Sequence, residues 1–457
     1  MSESLSPPGS DIGTVLAEAG ATGLEQSAGI VHEEFHKQLQ GARGVRVYKQ
    51  MRDNEPIIGA WMYAAELLIR STSWVIEPKT QSPTPQQLEI ATLAEQCRTD
   101  MLSTWGEVIS EALSAMTFGF SLIEKTYKVR GGDSESALFR SQYSDGRIGW
   151  KDLPLRAQET VSRWIFDKSS GRVTGLEQRA APSYRATLIP MTKLLHFRIR
   201  SHKGNPEGRS LLRNAYRPWF YATRLQEIEA IGIERNTAGL PVITLPVRFF
   251  TSGATADERA VLEEAKQTAR RLRMDSMAGL VTPAPEERGE KTGYGVSLMS
   301  SSGRSFADTD PIIRRYESRA AIATLGEFVL LGMDKVGSFA LSSNKSEFFA
   351  LALSAIADDL CDLFNRDALP ELARLNGFAP EDAPILKHGD IRQPDVEKLM
   401  QFVVQGVQGG VITPDEKLEQ FVRDYGSLPA KEGVGAALAA AAAAGRYPAG
   451  SDSPETT

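Results

Sequence analysis

Two of the chain's five histidines, His32 and His36, stand four residues apart in the string "HEEFH". On a helix that spacing puts both imidazoles on one face, and Glu33 completes the H-E-x-x-H pattern of a zinc hydrolase: two ligands and a general base. Such a site also needs a third ligand and a packed helix around it. The flanks "SAGIV" and "KQLQGARG" allow only a short helix near a polar N-terminus. The match is read here as coincidence on a solvated helix, with a zinc-dependent hydrolase kept as the enzyme alternative.

The second stretch with chemical spacing is "GMDKVGSFALSSNKSEFF", Gly332 to Phe349. Gly332 and Gly337 have the G-x-x-x-x-G spacing of a phosphate-cradling loop. That loop needs a strand before it, a helix after it, and Lys followed by Ser/Thr directly behind the second glycine. Here Ser338 and Phe339 follow, Lys335 lies inside the run, and the preceding "AAIATLGEFVLLG" reads as helix. No nucleotide site and no other cofactor are expected. The stretch reads as a connection between helices, with Gly332 as the C-cap of the first and Asn344/Glu347 as a capping box for the second. A long connection without structure of its own calls for a functional reason. Asp358 and Asp359 are adjacent on a helix and so diverge, which argues for a solvated face rather than a metal site.

The elements that must position these residues are bounded by composition. At 457 residues the chain exceeds one compact core, so several domains are expected. Its net charge of −6 argues against tight, sequence-specific DNA binding. The two cysteines, Cys97 and Cys361, form no C-x-x-C pair, which fits a reducing compartment. The N-terminus lacks a signal-peptide pattern, no apolar run is long enough to span a membrane, and the alanine-rich end reads as a disordered tail.

Along the chain, apolar spacing predicts a helix after Pro56, capped by Asp53 or Asn54, and a strand at Trp74–Ile76. A helical block over 85–117 breaks at Gly119 into a β-rich region over 118–200, which opens with an alternation through Phe120, Leu122, Lys125, Tyr127 and Val129. A long helix over 210–235 carries Pro218, predicting a kink or restart there. A small α/β module follows, made of "LPVITLP", a charged helix over 255–275, and strands at "AGLVTPA" and "YGVSLMS". A second long helix is expected from Asp310 to Leu331, a third from Lys345 to Leu375 bent at Pro370, and two short helices over 394–427.

Three stretches in this order resemble the portal proteins of tailed double-stranded-DNA bacteriophages, particularly the Mu-like group. They are "MRDNEPIIGAWMYAAELLIRSTSWVIEP", "TFGFSLIEKTY" and "LLHFRIRSHKGNPEGRSLLRNAYRPWFYATRLQEIEAIGIERNTAGLPVITLP". The resemblance covers about residues 45–425 and implies an α+β portal fold. It implies an N-terminal arm (1–44), a wing (45–209 and 346–389) and paired stem helices (210–237 and 309–331). It further implies a clip (238–308), a tunnel loop (332–345) and a crown (390–427), with the tail at 428–457. It also implies a homo-oligomeric ring, usually twelve-fold, at one capsid vertex of the virion, assembled in the host cytoplasm. Double-stranded DNA passes through its centre, and its partners are the terminase, the head–tail connector and the major capsid protein. The portal is not itself an enzyme.

On that resemblance the tunnel-loop candidates are Lys335, Ser338, Phe339, Ser342, Ser343 and Lys345, and the charged stem candidates are Arg217, Arg224, Arg314, Arg315 and Arg319. From Asp310 to Glu347 there are five basic and five acidic residues, a balance that suits sliding over gripping. Whether the stem arginines face a channel or bridge subunits stays open, and another capsid connector or scaffold protein stays as a further alternative.

Overall fold

The structure, a computed structural model, describes residues 21–238, 240–271, 280–283, 294–299, 309–324, 326, 339–391, 396–411, 413, 415 and 418–419. It divides into two units, Met1–Lys387 and His388–Thr457.

The first unit opens with a short antiparallel pair, β1 (Gln26–Ser27) and β2 (Ile30–Val31). Helices α1 (Gly41–Asn54) and α2 (Pro56–Ser71) follow. Pro56 occupies the first turn of α2 as predicted, but Asp53 and Asn54 belong to the last turn of α1, and the cap is Glu55, which makes no side-chain cap bond. After β3 (Trp74–Glu77), the predicted helical block divides into α3 (Pro85–Thr99) and α4 (Trp105–Phe118). Each opens on a reciprocal capping box, Thr84/Gln87 and Thr104/Glu107, which satisfies otherwise orphaned N–H groups.

Helix α4 stops at Gly119, whose φ of +96° favours glycine. A Cβ there would sit 2.5 Å from the Glu207 carbonyl oxygen. The predicted β-rich region is β4 (Phe120–Glu124), β5 (Thr126–Val129), β6 (Ile148–Asp152), β7 (Val161–Phe166), β8 (Val173–Arg179), β9 (Ala186–Pro190) and β10 (Leu194–Arg198). Strand β4 pairs antiparallel with β10, β5 with β6, and β7–β8–β9 form an antiparallel meander. Val31, Phe120, Leu122, Trp164, Leu176, Ile189 and Leu194 share one core.

A 3-10 turn at Leu211–Asn214 leads into α5 (Tyr216–Ala238). Pro218 falls in the first turn of α5, where its missing N–H has no intrahelical acceptor to lose, so the helix restarts there and does not kink. The inserted module is β11 (Leu240–Leu245), α6 (Ala256–Arg271), β12 (Leu280–Pro283) and β13 (Gly295–Met299). Its strand order is β12-β11-β13, with β11/β12 parallel and β11/β13 antiparallel. Helix α6 supplies the crossover that a parallel pair requires. Ile243, Leu245, Phe249 and Ala269 form the module's own core.

Helix α7 (Asp310–Ala323) is shorter than the expected run to Leu331. The Thr324 hydroxyl donates back to the Ala320 and Ala321 carbonyls, and Gly326 N–H donates to Ala321 O at 2.8 Å, the six-to-one bond of a Schellman stop. Helix α8 (Phe339–Asp367) then runs back through the unit, with Phe349 6.2 Å from Trp61 of α2 and Phe364 5.2 Å from Trp105 of α4. The expected single helix bent at Pro370 is instead two: Pro370 lies in the first turn of a separate α9 (Leu369–Leu375). Strand β14 (Ile385–His388) pairs with β3. In the second unit α10 (Val396–Gln408) ends in a turn at Gly409–Gly410. Of the second helix expected there, only residues 418–419 are described as helical. The predicted tail at 428–457 lies outside the described residues, as do residues 1–20.

Candidate functional site

The HEEFH segment is not a helix: residues 32–36 follow β2 as irregular backbone before a 3-10 turn at Lys37–Leu39. His32 and Glu33 are already engaged. His32 Nε2 hydrogen-bonds Ser27 Oγ at 2.8 Å. Glu33 accepts from Glu25 N–H at 2.8 Å and pairs with Lys203 at 3.1 Å. His36 packs 5.7 Å from the Tyr216 ring. Without helical geometry the two imidazoles share no face, and among the described residues no group of three or more His, Cys, Asp or Glu could hold a metal. The zinc-hydrolase reading is therefore unsupported. What the segment does is structural: Glu34 makes a two-pronged ion pair with Arg213 (2.5 and 2.6 Å), tying the N-terminal segment to the approach of α5.

Helix α8 takes up the second half of the expected glycine loop. Phe339, Ser342, Ser343 and Lys345 belong to the backbone of α8, which begins six residues before Lys345. Asn344 therefore sits inside the helix and does not cap it. After Gly337 the sequence has neither Gly nor Pro until Gly377 apart from Pro370, so nothing stops the helix from propagating back to Phe339. Lys335 and Ser338 lie outside the described residues.

Helices α5 and α7 pack antiparallel. The Tyr221 and Tyr316 rings stack at 5.7 Å, Gln226 reaches Glu317 at 3.5 Å, and the Thr309 hydroxyl bonds Glu229. All five arginine candidates are exposed on this pair. Arg224 pairs with Glu227 at 3.0 Å and Arg314 with Asp310 at 2.9 Å, both within one helix. Arg217 lies 5.9 Å from the Tyr221 ring centre, and Arg315 and Arg319 lie 5.5 and 6.0 Å from that of Tyr316. Three cations thus surround one tyrosine stack, so cation–π attraction joins the two helices' charge into a single patch. Beyond it, Ile228 and Ile231, three residues apart on α5, are 58% and 48% exposed. The described residues contain no helix long and apolar enough to cross a membrane.

A sequence profile of the family described as portal protein of Mu bacteriophage matches residues 45–426. The chain belongs to that family. Its fold is similar to a chain in the virion of a native gene transfer agent particle (TM-score 0.47, 11% identity, covering 84% of this chain and 94% of that one). It is also similar to a chain in the neck of an empty gene transfer agent particle (TM-score 0.49, 12% identity, with the same coverages). In this portal protein, as in the sequence reading, two long helices flank an α/β insert, and a third helix returns to the β-rich body.

Sequence reasoning missed the buried charges that brace this body. Along β5 and the residue after it the alternation is reversed: Lys128 and Arg130 are buried and Val129 is 60% exposed. Phe120, Leu122, Lys128 and Arg130 are all buried, so the inward face stays on the even-numbered positions and does not change at Lys125 as the expected alternation does. Lys128 Nζ lies 3.1 Å from Asp100 Oδ2, and it donates to the carbonyls of Asp100 and Arg140. Arg130 reaches Asp145 at 3.0 Å and lies 4.0 Å from the Tyr143 ring centre. Burial works against the Asp100 charge, but donors from Ser141, Gln142 and Lys128 outweigh it and hold the carboxyl below its ordinary value. The one available signal was a run of three cations at every second or third residue, Lys125, Lys128 and Arg130, inside a strand pattern.

Proposed function

We propose that this portal protein assembles into a closed ring of about twelve copies, with double-stranded DNA passing through its centre during packaging and ejection. The observation that carries the reading is the family match over residues 45–426. On it, residues 45–209 and 346–389 are the wing, α5 and α7 the stem, 238–308 the clip and 390–427 the crown. The clip offers a small domain with its own core for docking the terminase and later the head–tail connector. The wing faces the major capsid protein, and the assembly stands at one vertex of the virion after forming in the host cytoplasm. The protein performs no catalysis of its own.

Physical chemistry supports the ring and the channel. The antiparallel stem pair leaves Ile228 and Ile231 in solvent, apolar surface that a second copy would cover. Of the tunnel-loop candidates, Phe339, Ser342, Ser343 and Lys345 stand in the first turns of the returning helix, and Lys335 and Ser338 lie outside the described residues. Equal numbers of acids and bases between Asp310 and Glu347 keep DNA from being held at every phosphate.

Native mass measurement and particle images of the purified chain test the proposal. Rings with a central channel are expected, whereas a monomer under every assembly condition, or a compact oligomer without a channel, would refute it. Because α8 begins at Phe339, the loop is best probed by substitution. Lys335→Ala should leave rings intact and lower DNA packaging or retention.

A further inference from the structure

A cavity of about 800 Å³ opens between β10 with its following loop and the α8–α9 junction. Its wall carries six basic side chains against two carboxylates, Asp367 and Glu371, in a chain whose net charge is −6. Both carboxylates are taken. Asp367 accepts from Arg366 at 2.8 and 3.0 Å, and Glu371 pairs with the buried Lys125. Arg198 is left without an acid. Its Nη1 donates to the Ser201 hydroxyl (3.2 Å) and the Asn205 carbonyl (3.4 Å), both neutral, and no carboxylate lies within ion-pair distance among the described residues. Exposed Arg374, on the same wall, also has no ion pair among the described residues.

Half-buried Arg198 is perturbed first by its own desolvation and next by the charge of Arg366, both acting against its proton. Two guanidiniums facing one cavity repel each other, and burial amplifies the repulsion. Asp367 offsets the charge of Arg366, whereas Arg198 has no counter-ion, and an anion in the cavity would supply one. A carboxylate carries one charge and satisfies one guanidinium fork. A phosphate group carries more charge and enough oxygens to bridge two forks. The volume is that of a small-molecule site, and a nucleic-acid duplex is too wide to enter it.

We propose that this cavity binds a small phosphate-bearing anion, bridged between Arg198 and Arg374, the two guanidiniums on its wall without an acid. The test uses the purified full chain, with thermal unfolding and calorimetric titration against inorganic phosphate and pyrophosphate, and chloride of equal ionic strength as control. Saturable stabilisation by phosphate or pyrophosphate but not by chloride is expected. Arg198→Gln should weaken binding by about ten- to a hundred-fold, the effect of one charged hydrogen-bonding partner. Arg374→Gln, an exposed change that spares the fold, should weaken it several-fold. No stabilisation of the unaltered chain, or equal affinity in both variants, would overturn the proposal. So would saturable binding of an acidic peptide by a chain that ignores both phosphates.

Discussion

His196 shows how one side chain couples stability to pH. Its ring stacks on Trp164 at 5.5 Å and lies edge-on to Phe120, and its Nε2 hydrogen-bonds the Pro206 carbonyl at 2.7 Å. Desolvation first, then the charges of Arg198 and Arg366, bring its pKa from 6.5 down to about 3. Between those values the unfolded chain binds one more proton than the folded one, so stability falls as pH drops across that window, by up to about 1.4 kcal/mol per pH unit. Chemical denaturation at several pH values should show that slope, and His196→Gln should remove one proton's worth of it. The Asp100–Lys128 pair makes a second prediction. Asp100→Asn leaves Lys128 buried beside a neutral group and should cost about 3 kcal/mol or more, read from the denaturation midpoint. Replacing both by apolar residues should cost less, because the uncompensated charge is then gone.

At the scale of elements, two glycines decide where helices end. Gly119 holds a positive φ against the Glu207 carbonyl, and Gly208 approaches from the other side, where a Cβ would lie 2.2 Å from the Gly119 oxygen. Gly119→Ala is therefore expected to lower stability by about 2 kcal/mol or more, from backbone strain and displaced neighbours together. Gly326 is pressed on Trp61, with a Cβ position only 2.6 Å from its Cδ1 atom, so Gly326→Ala should loosen the contact between the end of α7 and α2. Faster hydrogen exchange confined to those two segments would be the readout. The stop at Gly119 was legible in the sequence because a glycine ended an apolar helical pattern. The stop after Ala323 was not, because the apolar spacing continues through Leu325 and Val329 and the Thr324 hydroxyl overrides it.

For the whole molecule, the predictions concern assembly. Ile228→Ser with Ile231→Ser changes residues already exposed in the single chain, so the folded monomer should keep its melting temperature while ring formation weakens. Sedimentation at several protein concentrations would separate the two effects, and an unchanged ring population would place the subunit contact elsewhere. Weak net binding of DNA is the matching expectation for the channel, with packaging sensitive to salt only modestly.

Much of this architecture was written in the chain. Apolar periodicity located α2, α5, α6 and the long returning helix, Pro218 marked a restart, and the order of elements pointed to the portal family. Such signals are local: periodicity and turn residues act within a few positions of themselves. Tertiary structure decided what depends on distant partners. It put Lys128 and Arg130 inside by supplying Asp100 and Asp145, turned the HEEFH string into a loop by engaging Glu33 and Glu34 with Lys203 and Arg213, and set Arg198 facing Arg366 across a cavity. A charge's cost or benefit is fixed by the residues folded against it, and those lie far away in the sequence.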